Sequence, residues 1–150
     1  MAKPVFSKLW NDYPKEQHPC DSKRGPEGKG YSYQCAIRMS VALNNEGSIS
    51  VNETTYSGNK CPHGHARGAQ GLANWLETNH LRTPTFRGKA KIVKKKIKSS
   101  NGIIFFKDCF AREGEKVRRG DHIDLWKAGT TKGFNDPHNN SAEVWFWKLP

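Results

Sequence analysis

Three stretches late in the chain, GIIFFKDCF (102–110), DHIDLWKAG (121–129) and AEVWFWKL (142–149), decide the fold class. Each is rich in β-branched and aromatic residues and is bounded by clusters of Gly, Asn and Asp, the grammar of strands separated by turns. The run before them, GKAKIVKKKIK (88–98), interleaves Lys with Ala90, Ile92, Val93 and Ile97 and is read as one more strand with a solvated lysine face. Working back toward the N-terminus the pattern changes. Leu72, Trp75, Leu76 and His80 lie on one face of a helix predicted over about 68–80, with Pro84 beyond its end. CAIRMSVALN (35–44) holds good helix formers with no Gly or Pro, and Asn45 to Gly47 supplies a stop. Phe6, Leu9 and Trp10 predict a short amphipathic helix ended by Pro14, while 19–30 and 48–67 read as polar loops. Helices first and strands later describe an α+β domain, its antiparallel sheet packed against the N-terminal helices.

The chain has 150 residues, the size of one domain, so residues 1–150 are read as a single unit. Hydrophobic residues make up 35%, yet 5 Trp and 7 Phe supply the large apolar surfaces that a disordered chain lacks. A formal charge of +11 attracts any polyanion, whether nucleic acid, anionic lipid or bacterial wall, and does not choose among them. No segment approaches the roughly 20 apolar residues needed to span a bilayer, so no membrane insertion is expected. The opening MAKPVFSKLWNDYP has no apolar run of signal-peptide length, so action outside the cytoplasm would require another export route. Cys20, Cys35, Cys61 and Cys109 allow three disulfide pairings and form no close C-x-x-C, which leaves the pairing open.

Two residues draw attention as chemistry. Cys35 falls in the first turn of the predicted helix, where unpaired amides and the helix dipole favour thiolate over thiol. Position alone fits an inert core cysteine at least as well. His122 opens a strand after a charged loop, where an imidazole can project toward a helix N-terminus; together they give the Cys-before-His order of a thiol hydrolase. The acidic Asp121 beside it either favours imidazolium or is a plain turn carboxylate.

YQCAIRMSVALNNEG (33–47), GDHIDLWKAG (120–129), EVWFWKLP (143–150) and the opening KPVFSKLW (3–10) resemble the motifs of type VI secretion amidase effector family 4. The resemblance implies a papain-like, NlpC-type cysteine peptidase fold. It also implies a peptidoglycan amidase that cuts between D-glutamate and meso-diaminopimelate in stem peptides, with Cys35 as nucleophile and His122 as base. Delivery by a secretion apparatus into a rival's periplasm and a cognate immunity protein follow from the same likeness. The family's third triad member is an Asp some way after the His. In TTKGFNDPHNN (130–140) Asp136 is the choice and Asn135 the next, either of which could orient the imidazole; Asp136 serves equally as a residue of the Asn-Asp-Pro turn. Tyr31 and Tyr33 are expected to line the substrate cleft, and a backbone amide near Cys35 to serve as oxyanion donor.

CPHGH (61–65) offers candidate metal ligands, with Cys61, His63 and His65 crowded within five residues and His138 as a further donor. Structural zinc sites draw on two separated pairs, and no second pair is evident, so neither metal nor cofactor is expected. Two other readings compete with the amidase. One is a basic, metal-dependent nuclease toxin using the histidines of CPHGH and DPHNN. The other is a non-catalytic wall- or nucleic-acid-binding module in which Cys35 is core. On the leading reading no nucleic acid partner is expected.

Overall fold

A computed structural model describes residues 3–16, 19–20, 33–111, 114–133 and 141–150. The elements in chain order are α1 (Phe6–Asn11), α2 (Cys35–Glu46), α3 (Ala69–Leu76) running into a wider π turn (Glu77–Leu81), β1 (Phe86–Gly88), α4 (Ala90–Lys96), β2 (Asn101–Phe110), β3 (Gly120–Lys127), β4 (Thr130–Thr131) and β5 (Glu143–Lys148). The sheet order is β1-β5-β2-β3-β4 and every pairing is antiparallel. The α+β class read from the sequence therefore holds, with the long strands β2, β3 and β5 where the three apolar runs predict them.

Period-two alternation sorts the core into two layers. Ile103, Phe105, Ile123, Leu125, Trp145 and Trp147 pack against α1, α2 and α3. Ile104, Phe106, Trp126, Val144 and Phe146 pack against Ala90, Val93 and Ile97 of the α4 segment. Each large side chain removed from water adds about 1.5–3 kcal/mol of stabilisation. The chain ends are tied together where Phe6 donates its backbone N–H to the Pro150 carbonyl at 2.9 Å.

The lysine-rich stretch corrects the sequence reading: residues 90–96 form a helix, not a strand. Ala90, Val93 and Ile97 are buried at helical spacing, while Ile92, which a strand would turn inward with Ala90, is 53% exposed. Lysine is a good helix former and is depleted in strands, so local propensity and burial period agree.

α2 is the central helix, with nine of its twelve residues buried. It stops at Gly47, whose φ of 98° is left-handed and whose N–H bonds the Leu43 carbonyl at 3.0 Å. A side chain there would meet no atom but would be strained by that backbone. Burial of so much of α2 fixes its N-terminus against β3, and that junction holds the candidate site.

Candidate active site

Cys35 is the first residue of α2 and is buried, its Sγ lying 3.9 Å from the Asp121 carbonyl oxygen at the start of β3. The first amides of an α-helix have no intrahelical acceptor, and the preceding Gln34 provides no side-chain cap. Gln34 is occupied elsewhere. Its Nε2 donates to the Cys20 carbonyl at 2.8 Å and its Oε1 accepts from the Cys20 N–H at 2.9 Å, which pins the residue before the thiol.

His122 lies on β3 opposite Phe106, whose ring stacks on the imidazole at 6.1 Å between centroids. Its exposure is 1%, so both ring nitrogens must be accounted for within the protein. Nε2 is 2.8 Å from Oδ2 of Asp124, which is itself fully buried. Nδ1 has no nitrogen or oxygen partner among the described residues, so it is the ring atom left for the Cys35 thiol. Asp124 is in turn fixed by backbone: Oδ1 accepts from the Leu125 N–H at 2.7 Å and from the Gly133 N–H at 2.8 Å. A Cβ at Gly133 would come within 2.5 Å of Asp124 Oδ2, so only glycine allows this close approach.

The electrostatics run in one direction. Burial by itself raises the Cys35 thiol, but the hydrogen bond and charge of His122, the Ile123 backbone and the Arg38 guanidinium outweigh it and hold the thiol below its ordinary value. For His122, burial lowers the imidazole, while the Asp124 hydrogen bond and the Cys35 thiolate carry it up to about 9. At neutral pH both shifts favour a thiolate–imidazolium pair. Behind the thiol, Arg38 donates from Nε to the Tyr13 hydroxyl at 3.4 Å. Burial and the Asp124 charge keep that phenol protonated.

The predicted pair, Cys35 and His122, is thus brought together. Asp136 and its alternative Asn135 lie outside the described residues, as do His138 and Tyr31. Tyr33 is described: it is 41% exposed and packs its ring on Phe110 at 5.1 Å. Asp121 accepts the Asp108 N–H at 2.8 Å and, after burial, helps push the Cys109 thiol up to about 12.

Asp124 escaped the sequence reading, although a signal was present. In HIDLW the His and Asp are two apart on a strand, so both side chains leave the same side of it. A carboxylate between Ile123 and Leu125 needs a partner to be buried at all. Gln34, Arg38 and Tyr13 carried no comparable signal; their placement depends on how α1 and α2 pack.

A family model described as type VI secretion system, amidase effector protein 4, matches residues 31–147. The chain belongs to that family. It is an amidase effector of the type VI secretion system, a hydrolase acting on the bacterial cell wall. No curated protein sequence matches it significantly. Among solved structures, the type VI effector Tae4 from Enterobacter cloacae is similar at a TM-score of 0.68 and 18% identity, over 100% of both chains. The Tae4 of the Tae4–Tai4 effector–immunity complex from Salmonella Typhimurium is similar at a TM-score of 0.70 and 18% identity, over 99% of both. At such identities the likeness speaks for the fold, which is the papain-like architecture of the amidase effector family.

Proposed function

We propose that this amidase effector hydrolyses the γ-D-glutamyl–meso-diaminopimelate bond of peptidoglycan stem peptides, with Cys35 as nucleophile, His122 as base and acid, and Asp124 orienting the imidazole. The observation that carries the reading is the alignment of a thiol at a helix N-terminus, a buried imidazole and a buried carboxylate 2.8 Å from its far nitrogen.

The steps follow from that arrangement. Nδ1 of His122 takes the thiol proton, and the Asp124 carboxylate on Nε2 holds the ring in the tautomer that leaves Nδ1 free to do so. The thiolate adds to the scissile carbonyl. The developing oxyanion is met by the amides at the α2 N-terminus, whose dipole favours negative charge there. Imidazolium then protonates the leaving amine of diaminopimelate, leaving a thioester on Cys35. Water, deprotonated by the same imidazole, releases the D-glutamyl carboxylate and restores the thiol.

Tyr33, exposed two residues before the thiol, and Tyr31 are proposed to line the cleft. Synthesis in the cytoplasm, action in the target's periplasm and neutralisation by a cognate immunity protein seated on the cleft complete the reading, in keeping with the effector–immunity complexes of its structural relatives. The test uses a synthetic stem tetrapeptide and its α-glutamyl isomer. Release of the diaminopimelyl dipeptide from the γ-linked peptide alone supports the assignment; cleavage of both, or of neither, overturns it.

A further inference from the structure

Away from the catalytic pair, three metal-ligating side chains converge from distant parts of the chain. The Sγ atoms of Cys20 and Cys61 and a ring nitrogen of His63 all lie within 4.8 Å of one another. His63 Nδ1 is 3.8 Å from Cys20 Sγ, and His65 Nδ1 is 3.6 Å from Cys61 Sγ. Around a tetrahedral zinc with Zn–S about 2.3 Å and Zn–N about 2.0–2.1 Å, neighbouring ligand atoms stand about 3.5–3.8 Å apart. The two thiol–imidazole separations already have that edge length. Both cysteines are buried and pack with Ile37 in an apolar cluster of their own, while His63 is exposed. CPHGH alone has one cysteine and no separated pair; the fold supplies the second thiol from Cys20.

We infer that Cys20, Cys61 and His63 form a structural site for a tetrahedral thiophilic divalent cation of the zinc type, with His65, whose Nδ1 already lies against the Cys61 thiol, as a donor for the fourth position. Binding releases both thiol protons to solvent, and the two thiolates balance the charge of the ion. Soft sulfur with imidazole selects zinc-like ions over magnesium or calcium. The site would act as a staple. Through the paired hydrogen bonds between Cys20 and Gln34 it joins the segment at residue 20 and the loop before α3 to the residue preceding Cys35.

The test loads cobalt(II) into the reduced full-length chain carrying Cys35→Ala, so that no signal arises from the nucleophile. The expected result is equimolar uptake with a thiolate-to-cobalt charge-transfer band and the intense visible bands of tetrahedral cobalt, both abolished by added zinc. Cys20→Ser and Cys61→Ser should lose the charge-transfer band. His63→Ala, a change at an exposed residue that the fold tolerates, should lose the tetrahedral visible bands. Absence of any thiolate band in the folded, reduced chain would overturn the inference, as would a spectrum that survives both Cys20→Ser and His63→Ala. So would an unreduced protein whose peptide masses show Cys20 and Cys61 joined by a disulfide with loss of both thiol hydrogens.

Discussion

Asp124→Asn should slow the enzyme by about 10- to 100-fold and move the alkaline edge of its pH profile downward. The carboxylate holds Nε2 of His122 through a buried, charge-assisted hydrogen bond of 2.8 Å. Such bonds contribute about 1.5–3 kcal/mol, and about 1.4 kcal/mol is tenfold in rate. The same interaction raises the imidazole to about 9 against the opposing effect of burial. With about 1.36 kcal/mol per pKa unit, its loss should bring the alkaline edge down by about one to two units. Asparagine keeps an oxygen for the Leu125 and Gly133 amides, so the fold should persist, which circular dichroism and thermal melting can verify. The assay is kcat/KM against pH on a stem tetrapeptide, for wild type, Asp124→Asn and Asp136→Asn. If Asp124→Asn leaves both rate and alkaline edge in place while Asp136→Asn moves them, the orienting residue has been misassigned.

Other outcomes follow from the same geometry. Gly133→Ala thrusts a methyl group toward Asp124 Oδ2 and should cost about tenfold in kcat with a smaller effect on KM, measurable in the same assay. Wild-type kcat/KM should trace a bell: it rises on the acid side as Cys35 ionises below the ordinary thiol range, and falls as His122 loses its proton near about 9. Because the folded His122 is raised above its unfolded value, the stability it contributes is complete below about pH 6.5 and fades as pH climbs through about 9, as denaturant melts at several pH values would show. Small-alkylator labelling at pH 7 should modify Cys35 well before Cys109, whose thiol is pushed up to about 12, and peptide mass mapping reads the order directly. Val93→Ala should lower stability by about 2 kcal/mol and Ile92→Ala by less than about 0.5 kcal/mol; the reverse ranking would contradict the helix over 90–96.

How much of this was legible depends on which signal each residue carried. The strands β2, β3 and β5 announce themselves because their side chains are sorted between two buried layers, and α2 because its stop signal and lack of breakers leave little choice. The segment 90–96 misleads because four lysines dilute the apolar period, and the exposed Ile92 imitates an alternating pattern. Cys35 and His122 stand out in the sequence through motif resemblance more than spacing, since a cysteine at a helix start is commonly core. The family resemblance points to an orienting carboxylate downstream in a polar loop, at Asp136, which lies outside the described residues. The strand itself supplied one two residues away, made tolerable by the Leu125 and Gly133 amides. Cys20 is the clearest case of what a sequence conceals. Nothing in PCDSKRG says that its thiol lies beside His63, 43 residues on.

The central claim meets its most direct test in purified peptidoglycan digested by wild type, Cys35→Ala and His122→Ala, with soluble fragments separated by liquid chromatography and identified by mass. Stem fragments ending at D-glutamate, produced by wild type and absent from both variants, are the predicted result. Equal fragments from all three proteins, or none from wild type while it remains folded, would contradict the assignment of bond and residues together.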